Sequence, residues 1–232
     1  MLDIKYYKVR IIKFFYSLII SLIGVSACTN GPQITTSEAL VNAANKTLTI
    51  LKNRKDLDKF NSQLRAAAGV AIFPSVYKAG FFAGAEGGNG ILISRNSNGV
   101  WGYPAFYTLA SGSWGLQFGG QKSGVIFIIR NSDAVKALMK HQGKLSAGMN
   151  VAAGNLGTGL EAGITSNLGA DIIAYSDSKG LFTGVALKGS AMVRRNDLNA
   201  EYYGGTVIPK SIIIQQAHQN PHADILRRTL SQ

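Results

Sequence analysis

The chain has 232 residues and 24.7 kDa, with 46% hydrophobic and 16% charged residues: enough for one domain with a real core and scarcely for two. Its 27 glycines and low charge content exclude disorder, coiled coil and collagen, and a single cysteine excludes a disulfide framework or a multi-cysteine metal cluster. A formal net charge of +12 directs attention to anionic partners: lipid, lipopolysaccharide, phosphorylated polymer or nucleic acid.

In chain order, residues 1–27 read as a secretory leader rather than as part of the fold. Lys5, Lys8, Arg10 and Lys13 are basic, and Phe14 to Gly24 is an uncharged run of 11 residues. That is too short to span a bilayer, which takes about 20 residues. Val25-Ser26-Ala27-Cys28 follows and resembles the lipobox of bacterial lipoproteins, in which the cysteine is acylated and becomes the first mature residue. The resemblance implies lipidation at Cys28, a tether over 28–34 and, with Thr29 rather than aspartate after the cysteine, an outer-membrane location facing the periplasm. Two or three acyl chains would anchor the protein without help from the folded domain. Loss of the leader leaves 20 basic and 11 acidic residues, a net charge of +9. Export sets nucleic acid aside as a partner.

The domain itself is expected over 35–232. From Ser37 to about Lys52, Leu40, Ala43, Ala44, Thr47, Leu48 and Leu51 recur at helical spacing, with cap candidates at Thr35 to Ser37. A second helix from Asp56 places Leu57, Phe60, Leu64 and Ala67 on one face. After Ala68 the pattern changes to apolar runs punctuated by glycine, which is the strand signal. The expected strands are Gly69–Phe73, Gly80–Ala85, Gly90–Arg95, Val100–Thr108, Trp114–Gly119, Gly124–Arg130, Ser146–Ala152, Glu161–Ser166, Ala170–Ser176 and Leu181–Val193. Asn96 to Gly99 and Asp177 to Gly180 are hairpin turns by composition, which implies antiparallel pairing. A helix is expected from Ser132, as cap, to Gln142, and a last short one over Asp224–Ser231. The fold class is therefore α+β: a single domain with a glycine-rich, mainly antiparallel sheet, covered by an N-terminal helix pair and a mid-chain helix.

Catalytic motifs find no support. Gly157 to Ala162 matches a dinucleotide pattern without the strand and helix that pattern needs, and Gly120 to Ser123 lacks the spacer of a phosphate loop. His141, His218 and His222 are too few for most zinc sites, and Pro221 spoils a helical face shared by the last two. No cofactor and no enzymatic activity are expected. An envelope hydrolase with dispersed catalytic residues is the remote alternative.

The informative block runs from Ala67 to Phe118. Ile72-Phe73-Pro74-Ser75 is followed by Lys78-Ala79-Gly80-Phe81, then by the Gly87 to Leu92 run, Trp101 with Pro104, and Gly115-x-Gln117-x-Gly119. Further on stands Asn199-Ala200-Glu201-Tyr202-Tyr203-Gly204. Together these resemble the SYLF domain, a lipid-binding domain of bacterial lipoproteins and of eukaryotic proteins that link phosphoinositide membranes to actin. The resemblance spans about Ser37 to Gln232 and implies binding of membrane phospholipid, preferentially anionic. With export, actin is not expected as a partner, and an envelope protein bound in an adaptor role is the alternative.

Candidate headgroup ligands are Lys78, in an expected tight connection, Lys122, in a glycine-rich connection, and Lys210, after a Pro209 turn. Lys188 and Arg194 share strand parity with Met192, and Arg195 adjoins them. Each cation near an anionic membrane contributes about 1 kcal/mol if these residues meet on one surface.

Overall fold

The computed structural model describes residues 34–57, 59–80, 83–114, 121–140, 150–153, 170–177 and 190–232. The compact unit runs from Thr35 to Gln232 and contains every residue of the two cores set out below. Helix α1 (Thr36–Lys52) opens with a capping box: the Glu38 amide donates to the Thr35 hydroxyl and the Thr35 amide donates to the Glu38 carboxylate, at 3.3 and 3.0 Å. Val41, Ala44, Leu48 and Leu51 recur every three or four residues and are all but fully buried. Each of the larger three contributes about 1.5–3 kcal/mol by leaving water. Helix α2 (Phe60–Ala66) adds Phe60 and Leu64 to the same core, with Leu57 before it and Ala67 after it. The expected helix pair is thus present and packed.

Strands β1 (Gly69–Gly80), β2 (Ala83–Ser94), β3 (Ala105–Trp114), β4 (Gln121–Ile129), β5 (Val151–Ala153), β6 (Ile172–Ser176) and β7 (Ala191–Arg194) form one sheet among the described residues. Its order is β5-β6-β4-β1-β2-β3-β7. All neighbours are antiparallel except β5 and β6. Both faces are covered. Val70, Ile72, Ile91, Ile93, Ile126 and Ile128 point to a first core shared with α1 and α2, completed by α4 (Asn196–Tyr203) and α6 (Asp224–Ser231). Ala71, Phe73, Leu92, Val125, Phe127 and Ile129 point to a second core under α3 (Ser132–Lys140) and α5 (Pro209–Ile213). Burial on both sides explains why the strands read as continuous apolar runs rather than as alternating ones.

The strand expected over Val100–Thr108 begins at Ala105 instead and runs on to Trp114, and other sequence expectations change as well. The strand expected to stop at Phe73 continues to Gly80, and the two expected over Gly80–Ala85 and Gly90–Arg95 are one. Pro74 is accommodated by a bulge: Pro74 and Ser75 together oppose Gly124 of β4, between the pairs Phe73–Val125 and Val76–Ser123. Helix α3 is capped by Asn131, not Ser132, because the Asn131 carboxamide oxygen accepts from the Ala134 amide at 2.7 Å. The short helices α4 and α5 carry no sequence periodicity strong enough to announce them. The Asn96–Gly99 turn is as expected: the Asn96 side chain accepts from the Asn98 and Val100 amides, and Gly99 has φ +77°. The turn expected at Asp177 to Gly180 and the strands expected over Trp114–Gly119, Ser146–Ala152, Glu161–Ser166 and Leu181–Val193 lie wholly or mostly outside the described residues.

The bulge presses on β2, where only glycine fits. A Cβ at Gly88 would lie 2.0 Å from the Ser75 carbonyl oxygen, and one at Gly90 would lie 2.3 Å from that of Ile72. Gly88→Ala and Gly90→Ala should each cost at least ~2 kcal/mol, read as a fall in Tm of about 4–8 °C. Gly205→Ala, in open space, should leave Tm unchanged in the same thermal melts.

Candidate functional site

The C-terminal signature folds into a joint. Asn199 is fully buried on α4; its carboxamide oxygen accepts from the Phe106 amide at 3.0 Å and its amide group donates to the Arg195 carbonyl at 2.9 Å. Glu201 reaches the opposite way, accepting from the Thr36 and Ser37 amides at 3.2 and 3.1 Å. Its carboxylate satisfies two orphan donors at the positive end of α1. Tyr202 packs edge-on against Phe106, the Tyr203 hydroxyl donates to the Pro104 carbonyl at 2.7 Å, and Gly204 closes the helix at φ +74°. Every one of these contacts is internal. His222 and His218 pack beside Tyr202 and Tyr203. Among the described residues no cluster of histidine, cysteine and carboxylate could hold a metal ion.

The open surface lies on the other face, between α3, β7 and α5. Helix α3 buries Ala134, Val135 and Leu138, which leaves Lys136 and Met139 at its rim. Helix α5 buries Ile212 and Ile213 and is tied to β2 by the buried Ser94 hydroxyl, which donates to the Ile213 carbonyl at 2.8 Å. Its two ends carry Ile208 and Ile214, exposed by 58% and 41%. Between them a groove of about 500 Å³ has Ile208, Pro209, Ile214 and Met139 as its apolar lining, with Arg194, Lys210 and Lys136 around it. The Arg194 guanidinium donates to the Met139 carbonyl at 3.1 Å, at the negative end of α3. Among the described residues neither Arg194 nor Lys210 has an acidic partner; Lys136 meets Asp133 in an exposed pair at 3.1 Å, worth little. A second cavity of about 440 Å³ lies beside Trp101 and α6, but its Arg227 is committed to the Trp101 carbonyl, Tyr103 and Asp224.

Of the expected ligands the fold brings two together, Arg194 and Lys210, and adds Lys136, which the sequence reading passed over. Lys210 stands in α5 rather than in a turn. Arg195 is spent: it donates to both Asp197 oxygens and to the Asn89 carboxamide oxygen at 2.7 Å, and its hydrogen bond holds the Asp197 carboxyl down at about 2. Lys122 is not in a connection but is the second residue of β4, with its ammonium 5.7 Å from the Tyr77 ring centre. It shares the α1 face with Gly124, and three strands separate β4 from β7, roughly 19 Å at the usual strand spacing. Lys78 lies within β1, in register with Glu86 and Gln121, not in a tight connection. Cys28 and Lys188 lie outside the described residues.

Comparison with known proteins gives the chain its family. The family model described as Ysc84, Las17-binding protein actin regulator, matches residues 110–232, more than half of the chain. LAS seventeen-binding protein 3 of Saccharomyces cerevisiae is 35% identical over 171 residues, 72% of this chain and 37% of that protein. The chain belongs to the Ysc84/SYLF family. Protein YSC84 of the same yeast is 34% identical over 72% of this chain and 36% of its own length. SH3 domain-containing YSC84-like protein 1 of Xenopus laevis is 35% identical over 68% of this chain and 48% of its own. The chain thus spans less than half the length of these curated relatives. No solved structure matches it. The expectation that actin is not a partner is overturned as a family inference: the Ysc84 family is described as an actin regulator, and one relative is named for binding Las17. Of these relatives one is named for binding Las17 and one for an SH3 domain, neither for a reaction.

Beside the groove, Tyr107 of β3 is the register partner of Arg194 and is 2% exposed. Burial pushes its hydroxyl up to about 12, with the Arg194 charge pulling the other way, and burial likewise puts Tyr175 at about 12. The unfolded chain releases these protons near pH 10 while the folded chain keeps them, so stability is full below 10 and is lost as pH rises towards 12. Each tyrosine should contribute a slope of about 1.4 kcal/mol per pH unit in that window. Denaturant unfolding at pH 9, 10 and 11 should show the decline, and Tyr107→Phe should make it shallower by one tyrosine's share, because burial also raises Tyr175, Tyr202 and Tyr203.

Proposed function

We propose that this chain is a non-enzymatic, acyl-anchored lipoprotein of the cell envelope whose SYLF domain binds anionic phospholipid headgroups at the α3–β7–α5 groove. The observation that carries the reading is the convergence of Arg194, Lys210 and Lys136 around one apolar surface. Three cations within one groove attract phosphate more strongly than the same charges dispersed, and each contributes about 1 kcal/mol near an anionic membrane. In this reading attachment falls to Cys28 of the lipobox-like segment. Arg195 and Lys122 leave the ligand set, the first because its donors are engaged and the second because it faces the other side.

The names of the relatives favour a second reading, in which the domain binds a protein of actin regulation. The two readings make opposite demands on location. Mass spectrometry of the mature protein should find acyl chains on an N-terminal Cys28; an unmodified N-terminus elsewhere would withdraw the envelope reading and leave the second.

Headgroup binding is tested with residues 29–232 and vesicles of anionic or neutral lipid. Anionic vesicles should bind more tightly, and binding should weaken as salt shortens the Debye length from about 10 Å at 0.1 M to about 3 Å at 1 M. At matched net charge, Lys210→Glu should cost at least fivefold more affinity than Lys122→Glu. Equal losses would leave only a diffuse basic surface.

A further inference from the structure

Headgroup binding accounts for the cations of the groove but not for its apolar lining. Ile208 and Ile214 flank a five-residue helix whose packing against β2 is already supplied by Ile212, Ile213 and Ser94. Neither exposed isoleucine is needed to hold α5 in place. A phosphate alone would gain nothing from them, whereas an acyl chain removed from water gains about 0.8 kcal/mol per buried methylene. Met139 adds a flexible, polarizable wall that adapts to an irregular apolar occupant. The volume of about 500 Å³ falls in the range of pockets that hold one small ligand, about 300–1,000 Å³. That volume suits one acyl chain. Among the described residues no carboxylate lines the groove, and the acid of α3, Asp133, is paired with Lys136. Charge complementarity therefore selects an anionic head at the rim.

We infer that the groove is a binding site for one single-chain anionic amphiphile, with the acyl chain on Ile208, Pro209 and Ile214 and the phosphate between Arg194 and Lys210. The ligand class is a lysophospholipid with an anionic head. The inference rests on the reading of the groove as a lipid site and narrows it from a membrane surface to a single molecule.

The test is calorimetric titration of residues 29–232 with monomeric myristoyl lysophosphatidate below its micellar concentration. Glycerol 3-phosphate serves as the head without the chain, and myristoyl lysophosphatidylcholine as the chain with a zwitterionic head. The expected result is saturable one-to-one binding of lysophosphatidate, at least tenfold tighter than either control. Ile208→Asn is the decisive variant: it keeps the net charge, replaces an exposed side chain, and places a favoured residue at the N-cap of α5. It should weaken lysophosphatidate at least tenfold without lowering Tm. Ile214→Ser should act in the same direction, so that a folding defect in one variant does not decide the matter. Glycerol 3-phosphate binding as tightly as lysophosphatidate, or both variants binding like the parent, would overturn the inference. Vesicle binding in the same variants separates the two levels. Salt-sensitive binding to anionic vesicles with no uptake of the monomer sinks the single-chain site and leaves headgroup recognition standing; loss of both removes the proposed function as well.

Discussion

A proline in the middle of a strand buried on both faces is the constraint from which much of this architecture follows. Pro74 cannot donate to the ladder, and β1 is paired on both sides, so the strand carries an extra residue at Pro74-Ser75. The bulge brings the Ser75 and Ile72 carbonyls against β2, and Gly88 and Gly90 are the positions that let them approach. Between those glycines Asn89 projects to the α1 side of the sheet. Its carboxamide oxygen accepts from the Thr108 hydroxyl at 2.6 Å and from Arg195 at 2.7 Å. Arg195 is the residue that opens α4, and α4 carries Asn199 to the Phe106 backbone and Glu201 to the start of α1. One chain of contacts thus runs from the bulge to the first helix. The segments around Phe73-Pro74-Ser75, Gly88-Asn89-Gly90 and Asn199 to Gly204 are linked parts of it, which gives these motifs a structural meaning before any ligand is considered.

That link also shows what the sequence could and could not disclose. Helix α1, the last helix and the Asn96–Gly99 turn were legible because caps, periodicity and turn chemistry are local. The continuity of β1 was not, since proline and glycine read singly mark ends; only their juxtaposition across two strands turns them into a bulge and its relief. Helix α4 was hidden for a related reason. Leu198, Asn199 and Tyr202 are all buried, and a polar residue among them breaks the apolar stripe that would reveal a helix. The sheet's second covering layer was equally obscure, because the five residues of α5 are too few to show a helical period.

For the groove the sequence offered half the signal. Arg194 was placed with Met192 by strand parity, and the structure agrees: Met192 is buried in the second core and Arg194 extends from the same face. Lys210 was singled out by charge. What joins them is the position of α5, fixed by Ser94 and two buried isoleucines, which no local rule announces. The run Val207-Ile208-Pro209 followed by Ile212-Ile213-Ile214 was a usable signal, because such a short stretch cannot bury all of its apolar side chains.

The basic charge of the chain divides by chemistry between scaffold and surface. Arg54 holds Asp56 and the Ser176 and Asp177 carbonyls, Arg95 stacks on Trp101, Arg227 grips Tyr103 and Asp224, and Arg195 grips Asp197 and Asn89. Planar guanidinium groups suit such fixed, multidentate and stacked contacts, and once engaged they offer little to a ligand. Net charge therefore overstates the number of cations available to an anion. Arg194 is the instructive exception, because its described contact is a helix carbonyl rather than a carboxylate, which positions the group without neutralising it. With Lys210 it keeps a full positive charge beside exposed isoleucine. The other cavity described also has an exposed arginine, Arg228, and an exposed Val100, but Asp224 stands in its lining; the described lining of this groove has no such acid, and that, more than the total of +12, distinguishes the two.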